Sequence, residues 1–167
     1  MGDISIEEDC FAPRRTKWIE YSGPDPFAIA REGRDILKPV FEIGTSSTGE
    51  PRFMWDWTGD PIQLYLHLMA KKTYSAYTTF WISIRVVGFK SKSRNEGTFR
   101  MEIEPVLRHK IKGNKLTMFL WWIYWYAFYN KIRQSMKYRC EEMAETFMTA
   151  VKNMYHLGTF QEEIWLP

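Results

Sequence analysis

Between residues 115 and 157 the chain contains neither glycine nor proline, and this is the strongest single constraint on its fold. Within that run Ile132, Met136, Cys140, Met143, Phe147, Ala150, Val151 and Met154 fall on one helical stripe. Trp121, Trp125, Phe128 and Ile132 carry the stripe backward, and Gly158 stands where the residue after a helix end is expected. One helix over residues 116–157 would be about 63 Å long at 1.5 Å per residue. A domain this small predicts a bend in it, or an extended start up to about Phe119. Residues 116–129 are almost uninterrupted apolar and aromatic side chains. A membrane-spanning helix needs about 20 such residues, and Trp and Tyr prefer interfaces to a bilayer centre. The segment therefore reads as a core helix, with peripheral membrane contact as the lesser reading.

The chain before this segment alternates with the period of strands. Residues 15–21 read as a first strand, broken by Ser22, Gly23 and Pro24. Asp25 and Pro26 make a helix start, with Asp25 as N-cap, and Pro39 should close that helix at about Leu37 or Lys38. A meander follows. Residues 40–44 predict a short strand, residues 48–51 a turn, and residues 52–57 a strand with Phe53, Trp55 and Trp57 on one face. From Ile62, the side chains of Leu64, Leu66 and Leu68 oppose Tyr65, His67 and Met69. Phe80, Ile82, Ile84 and Val86 then oppose Trp81, Ser83, Arg85 and Val87. Residues 91–97 form a polar hairpin tip, after which Phe99, Met101 and Ile103 point inward. Pro105 predicts an edge or a bulge. The fold class is α+β: an antiparallel meander of about five or six strands covered by a long C-terminal helix, with one shorter helix near the N-terminus. Residues 1–13 read as a flexible leader, residues 14–158 as the domain, and residues 159–167 as a tail in which Trp165 could tuck back.

A chain of 167 residues needs neither disulfides nor a structural metal to hold a core. The two cysteines, Cys10 and Cys140, suggest no disulfide framework, which makes a reducing cytosol the default. Residues 1–10 are acidic and lack a secretory pattern, and Ile6 stands where a myristoylation motif requires Ser or Thr. The net charge of +3 is small, but residues 85–115 hold nine bases against Glu96, Glu102 and Glu104.

Catalytic patterns are not met. Of the three histidines, His67 lies on the wetter strand face, His109 in a basic stretch, and His156 at a helix end that favours a cation. No zinc, calcium or phosphate-loop spacing occurs, so no metal or cofactor is expected. Asp56, between Trp55 and Trp57, reads as a surface acid by strand parity, with a curled pocket as the alternative. Glu102 and Glu104 read as cross-strand partners of Arg85. The hairpin bases Lys90, Lys92 and Arg94, with Arg108 and Lys110, are candidate anion or RNA contacts; Trp81 and Tyr65 are the available stacking residues.

The order of the strand at residues 15–21, the helix after Asp25 and Pro26, the meander over residues 40–111 and the stripe from Phe128 to Met154 resembles the helix-grip fold of the START and Bet v 1-like superfamily. The resemblance covers residues 15–157. It implies an apolar ligand held between sheet and helix, or, in some members, cyclase or hydrolase activity. The leading expectation is a non-catalytic binding protein whose cavity is lined by Trp55, Trp57, Phe80, Trp121 and Trp125. The rivals are an adaptor for RNA or a ribonucleoprotein that uses the basic hairpin over residues 85–115, with RNA or an acidic protein surface as its partner, and a homodimer formed through helix aromatics; an enzyme comes last.

Overall fold

The computed structural model describes residues 2–156. Its elements run β1 (Gly2–Asp9), β2 (Lys17–Pro24), α1 (Ala28–Phe41), a 3-10 turn (Thr45–Ser47), β3 (Thr48–Asp56), β4 (Ile62–Thr73), β5 (Thr78–Lys90) and β6 (Glu96–Gly113). Then come α2 (Lys115–Tyr124), a π-turn (Trp125–Tyr129) and α3 (Asn130–Met154). The strands make one six-stranded antiparallel sheet, ordered β1-β6-β5-β4-β3, with β2 also on β6. This is the α+β class that the alternation predicts.

The first residues are not a leader. β1 pairs with the C-terminal half of β6, from Gly2↔Gly113 to Asp9↔Val106, and β2 continues on the same side from Lys17↔Ile103. The two behave as one strand interrupted by an excursion that buries Cys10 and Phe11. Pro105 sits at the handover between them, pairing with Ile82 on its other side. A proline has no N–H to donate. It is tolerated in the middle of this sheet because neither β1 nor β2 is paired opposite it, and its carbonyl still accepts from Cys10 N at 3.1 Å. The edge or bulge expected there is thus a gap between two strand ends.

Three further boundaries move. α1 continues past Pro39 to Phe41, so the strand expected at residues 40–44 is absent. Pro39 lies in the last turn, and the buried Phe41 packs on Phe80 and Phe147 at 5.3 and 6.2 Å between ring centroids. Asp25 is not the N-cap: that residue is Phe27, which caps with no side chain. The turn expected at residues 48–51 is the start of β3, irregular between Gly49 and Arg52.

The inward face of the sheet, led by Leu66, Ile82, Ile84, Met101 and Ile103, is covered by α1 and by Cys140, Met143, Ala144, Phe147 and Val151 of α3. Cys10 and Cys140 are joined as a disulfide, with Cα atoms 5.9 Å apart. The expectation of two reduced thiols is overturned, and the cytosolic setting argued from them loses its basis. Cys10 follows directly on β1, whose pairing with β6 places it beneath α3 within reach of Cys140.

Candidate functional site

α2 begins at Lys115, not after an extended stretch, because Asn114 caps it by accepting the N–H of Thr117 at 2.9 Å. Trp121, Trp125 and Tyr129, four residues apart, point inward onto Ile111 of β6 and onto Ile4 and Ile6 of β1. A regular helix would bring Phe128 and Ile132 inward next, as the stripe predicts. The π-turn adds a residue to the turn, so Tyr129 takes the inward place, while Phe128 and Ile132 are 69% and 44% exposed. The long helix is interrupted here by this change of register.

Beneath the π-turn lies a chain of buried polar groups. His109 and Thr78 are register partners across β5 and β6, and both are buried. His109 Nδ1 is 2.9 Å from Thr78 Oγ1, which also hydrogen-bonds Tyr129 Oη. His109 Nε2 is 3.1 Å from Glu8 Oε2, and Glu8 Oε1 is 3.4 Å from Arg133. Burial alone would raise the Glu8 pKa, but the hydrogen bond from His109 and the charges of Arg133 and Lys137 outweigh it and hold the carboxyl below its ordinary range. With Glu8 ionised, one assignment of protons satisfies every member. His109 Nε2–H donates to Glu8, Thr78 donates to His109 Nδ1, and Tyr129 donates to Thr78. Carboxylate, imidazole and hydroxyl in sequence have the order of a nucleophilic triad. Here the hydroxyl is fully buried and hydrogen-bonded to Tyr129. The chain fastens the sheet to the helix.

The outer side of the same segment is open. Leu116, Phe119, Leu120 and Ile123 form an i, i+3, i+4, i+7 stripe facing away from Trp121 and Trp125, and all four are exposed. Trp122 stacks on Tyr126 at 5.6 Å and Tyr124 on Phe128 at 6.2 Å, with Tyr126 74% exposed. A helix that is apolar on all sides belongs in an interior. Among the described residues this one is covered on one side only.

The five expected cavity residues fall in three places. Phe80 is fully buried in the main core, and Trp121 and Trp125 belong to the separate cluster under α2. Trp55 and Trp57 stand on the edge strand β3, stacked at 5.9 Å and 41% and 60% exposed, with Trp55 touching Phe27 edge-on. They face the core side as parity predicts, but α1 does not extend over them. Two surface depressions, of about 560 and 530 Å³, lie on the outer face of α3 around Glu142 and Thr146 and at the hairpin tip around Ser93 and Arg94.

The basic candidates separate as well. Lys92 and Arg94 are exposed at the tip, while Lys90 lies 5.9 Å from the Phe27 ring. Arg108 and Lys110 are near the other end of β6, an 18-residue strand. Arg108 pairs with Glu7 at 2.7 Å and lies over Trp81. Lys110 donates its backbone N–H to Tyr77. Thus acids of β1 neutralise part of the basic run. Arg85 pairs with Glu102 and Glu104 at 3.4 and 2.5 Å, as expected. His67 bonds Ser83 at 2.8 Å, and burial, then the Arg85 charge, lowers its pKa. Asp56 accepts from the N–H and hydroxyl of Thr58, which lowers its pKa; it is a surface turn acid. His156 ends the helical region at φ 53°, while Gly158 and Trp165 lie outside the described residues. Among the described residues no group of three His, Cys, Asp or Glu side chains could hold a metal, and no helix is long and apolar enough to cross a membrane.

Sequence reasoning missed Glu8, Thr78 and Tyr129. A signal existed for two of them. Ile4, Ile6 and Glu8 alternate as a strand does. Counting back from the hairpin pair Lys90↔Gly97 puts Thr78 opposite His109.

Sheet and helices together define a helix-covered antiparallel α+β protein with a polar anchor and an uncovered aromatic helix. No protein-family model and no curated protein matches the sequence. Among solved structures the chain is similar to Ara h 8.0201, at 10% identity and a TM-score of 0.25, over 91% of this chain and 99% of that one. At that identity and TM-score neither family nor function is carried across.

Proposed function

We propose that this chain is a non-catalytic binding protein whose apolar partner docks on the outside of α2 and the π-turn. One observation carries the reading: a helix with apolar side chains all round, one side packed on Ile111 and the other exposed. Between the sheet and α3, Phe41, Phe80 and Phe147 are fully buried and Phe41 packs on the other two, so a ligand placed among them would have to displace these rings. The test uses anilinonaphthalene sulfonate, which fluoresces on apolar surface, with wild type and the variant Phe119→Ser/Ile123→Ser. Both side chains are exposed, so the variant should melt within about 2–4 °C of wild type, as two surface changes of up to about 0.5 kcal/mol each do. A several-fold fall in dye fluorescence is expected; unchanged fluorescence would reject the surface.

For an RNA or acidic partner the hairpin offers chiefly Lys92 and Arg94. Retention on immobilised RNA that is lost in Lys92→Gln/Arg94→Gln and weakens steeply with salt would favour that partner instead.

A further inference from the structure

We propose, resting on the reading just given, that the partner is the surface of an anionic lipid bilayer, on which α2 and the π-turn lie flat. Residues 116–130 carry no charged side chain. Lys112 and Lys115 flank the segment at one end and Lys131 at the other. All three are exposed and make no ion pair among the described residues. An apolar stripe framed by cations at both ends complements acyl chains surrounded by anionic headgroups. The frame opposes a second copy, because an isologous dimer on this stripe would bring the like charges of both chains together.

The aromatics suit the same occupant. Trp122, Tyr124 and Tyr126 pair an apolar ring with a polar tip, the chemistry favoured at the boundary between headgroup and hydrocarbon. The helix lies along the sheet, anchored by Trp121, Trp125 and Tyr129. Its exposed stripe of Phe119, Leu120 and Ile123 can therefore enter the interface without unfolding the domain. Such shallow insertion needs no spanning length.

The experiment is flotation of the full chain with vesicles of phosphatidylcholine alone or mixed with phosphatidylglycerol, beside light scattering of the free protein. The protein should float with the mixed vesicles, less with phosphatidylcholine alone, and less as salt rises. Changing Lys112, Lys115 and Lys131 to Gln should weaken binding about fivefold each. Phe119→Ser/Ile123→Ser should abolish flotation. If wild type binds the dye but floats with neither vesicle, the lipid assignment fails while the binding surface stands. If light scattering shows a dimer that this double substitution dissolves, the occupant is a second copy and the lipid assignment is overturned. If wild type does not bind the dye, both fail.

Discussion

Replacing Cys10 and Cys140 together by Ala should cost this protein a large part of its stability. The bridge joins residues separated by 130 positions. In the chain-entropy treatment, closing a loop of that size removes unfolded-state entropy equivalent to about 5 kcal/mol at 25 °C, while measured bridges more often give about 2–4. Both sulfurs lie in the main core, so the two truncations add a small packing loss to the lost cross-link. A total of about 3–5 kcal/mol follows, and at roughly 2–4 °C per kcal/mol for a chain of this size the melting midpoint should fall by about 6–20 °C. Calorimetry of wild type and the double variant measures it. Thiol titration of the unreduced, denatured wild type checks the premise, and no free thiol is expected. Two thiols in that titration, or midpoints that coincide, would refute the reasoning. The bridge also explains how a short excursion between β1 and β2 is held under α3.

Two other perturbations have a defined sign. Glu8 is held below its ordinary pKa, so its stabilising effect is full above the unfolded value of about 4.3 and is lost as pH falls through the lower folded value. Glu8→Gln should therefore cost about 1–3 kcal/mol at neutral pH, with urea-unfolding curves of the two proteins converging in acid; a pH-independent difference would count against the ion-pair account. Tyr155 Oη accepts the N–H of Ile29 at 2.8 Å and donates to the Pro26 carbonyl at 3.1 Å, standing in for the missing side-chain cap of α1, and burial raises its pKa. Tyr155→Phe should cost about 1–3 kcal/mol in the same unfolding assay, since it orphans a buried donor, and a loss near zero would remove that capping role.

Much of the architecture was legible because it rests on periodicity. The alternation from Ile62 onward fixes β4, β5 and most of β6, and the glycine-free run fixes the covering helix. What escaped depends on pairings between distant residues. β1 lacks strong strand residues beyond Ile4 and Ile6, and its acids read as solvated until β6 supplies Arg108 and His109 opposite them. Cys10 could be placed only once β1 was placed. The anion candidates failed to converge because β6 is 18 residues long: Lys90, Lys92 and Arg94 lie at the hairpin that precedes it, whereas Arg108 and Lys110 lie near its far end. Local preference also gave way to burial, as where Phe41 holds the last turn of α1 beyond Pro39.

The π-turn ties the two sides of the site together. Without the extra residue, Phe128 would point at His109 and Thr78, and the polar chain would meet an apolar ring that can neither donate nor accept. Inserting Tyr129 supplies the hydroxyl that completes the chain, and the same rotation turns Phe128 and Ile132 outward to lengthen the apolar face. The inward place of Tyr129 and the outward turn of Phe128 and Ile132 are consequences of one irregularity, and they extend an apolar stripe that α2 already presents. A polar interior contact that fixes the helix in a single register lets the opposite side remain apolar without the helix rolling over to bury it. That is the physical reason a segment with the composition of a core can be kept at the surface of this fold.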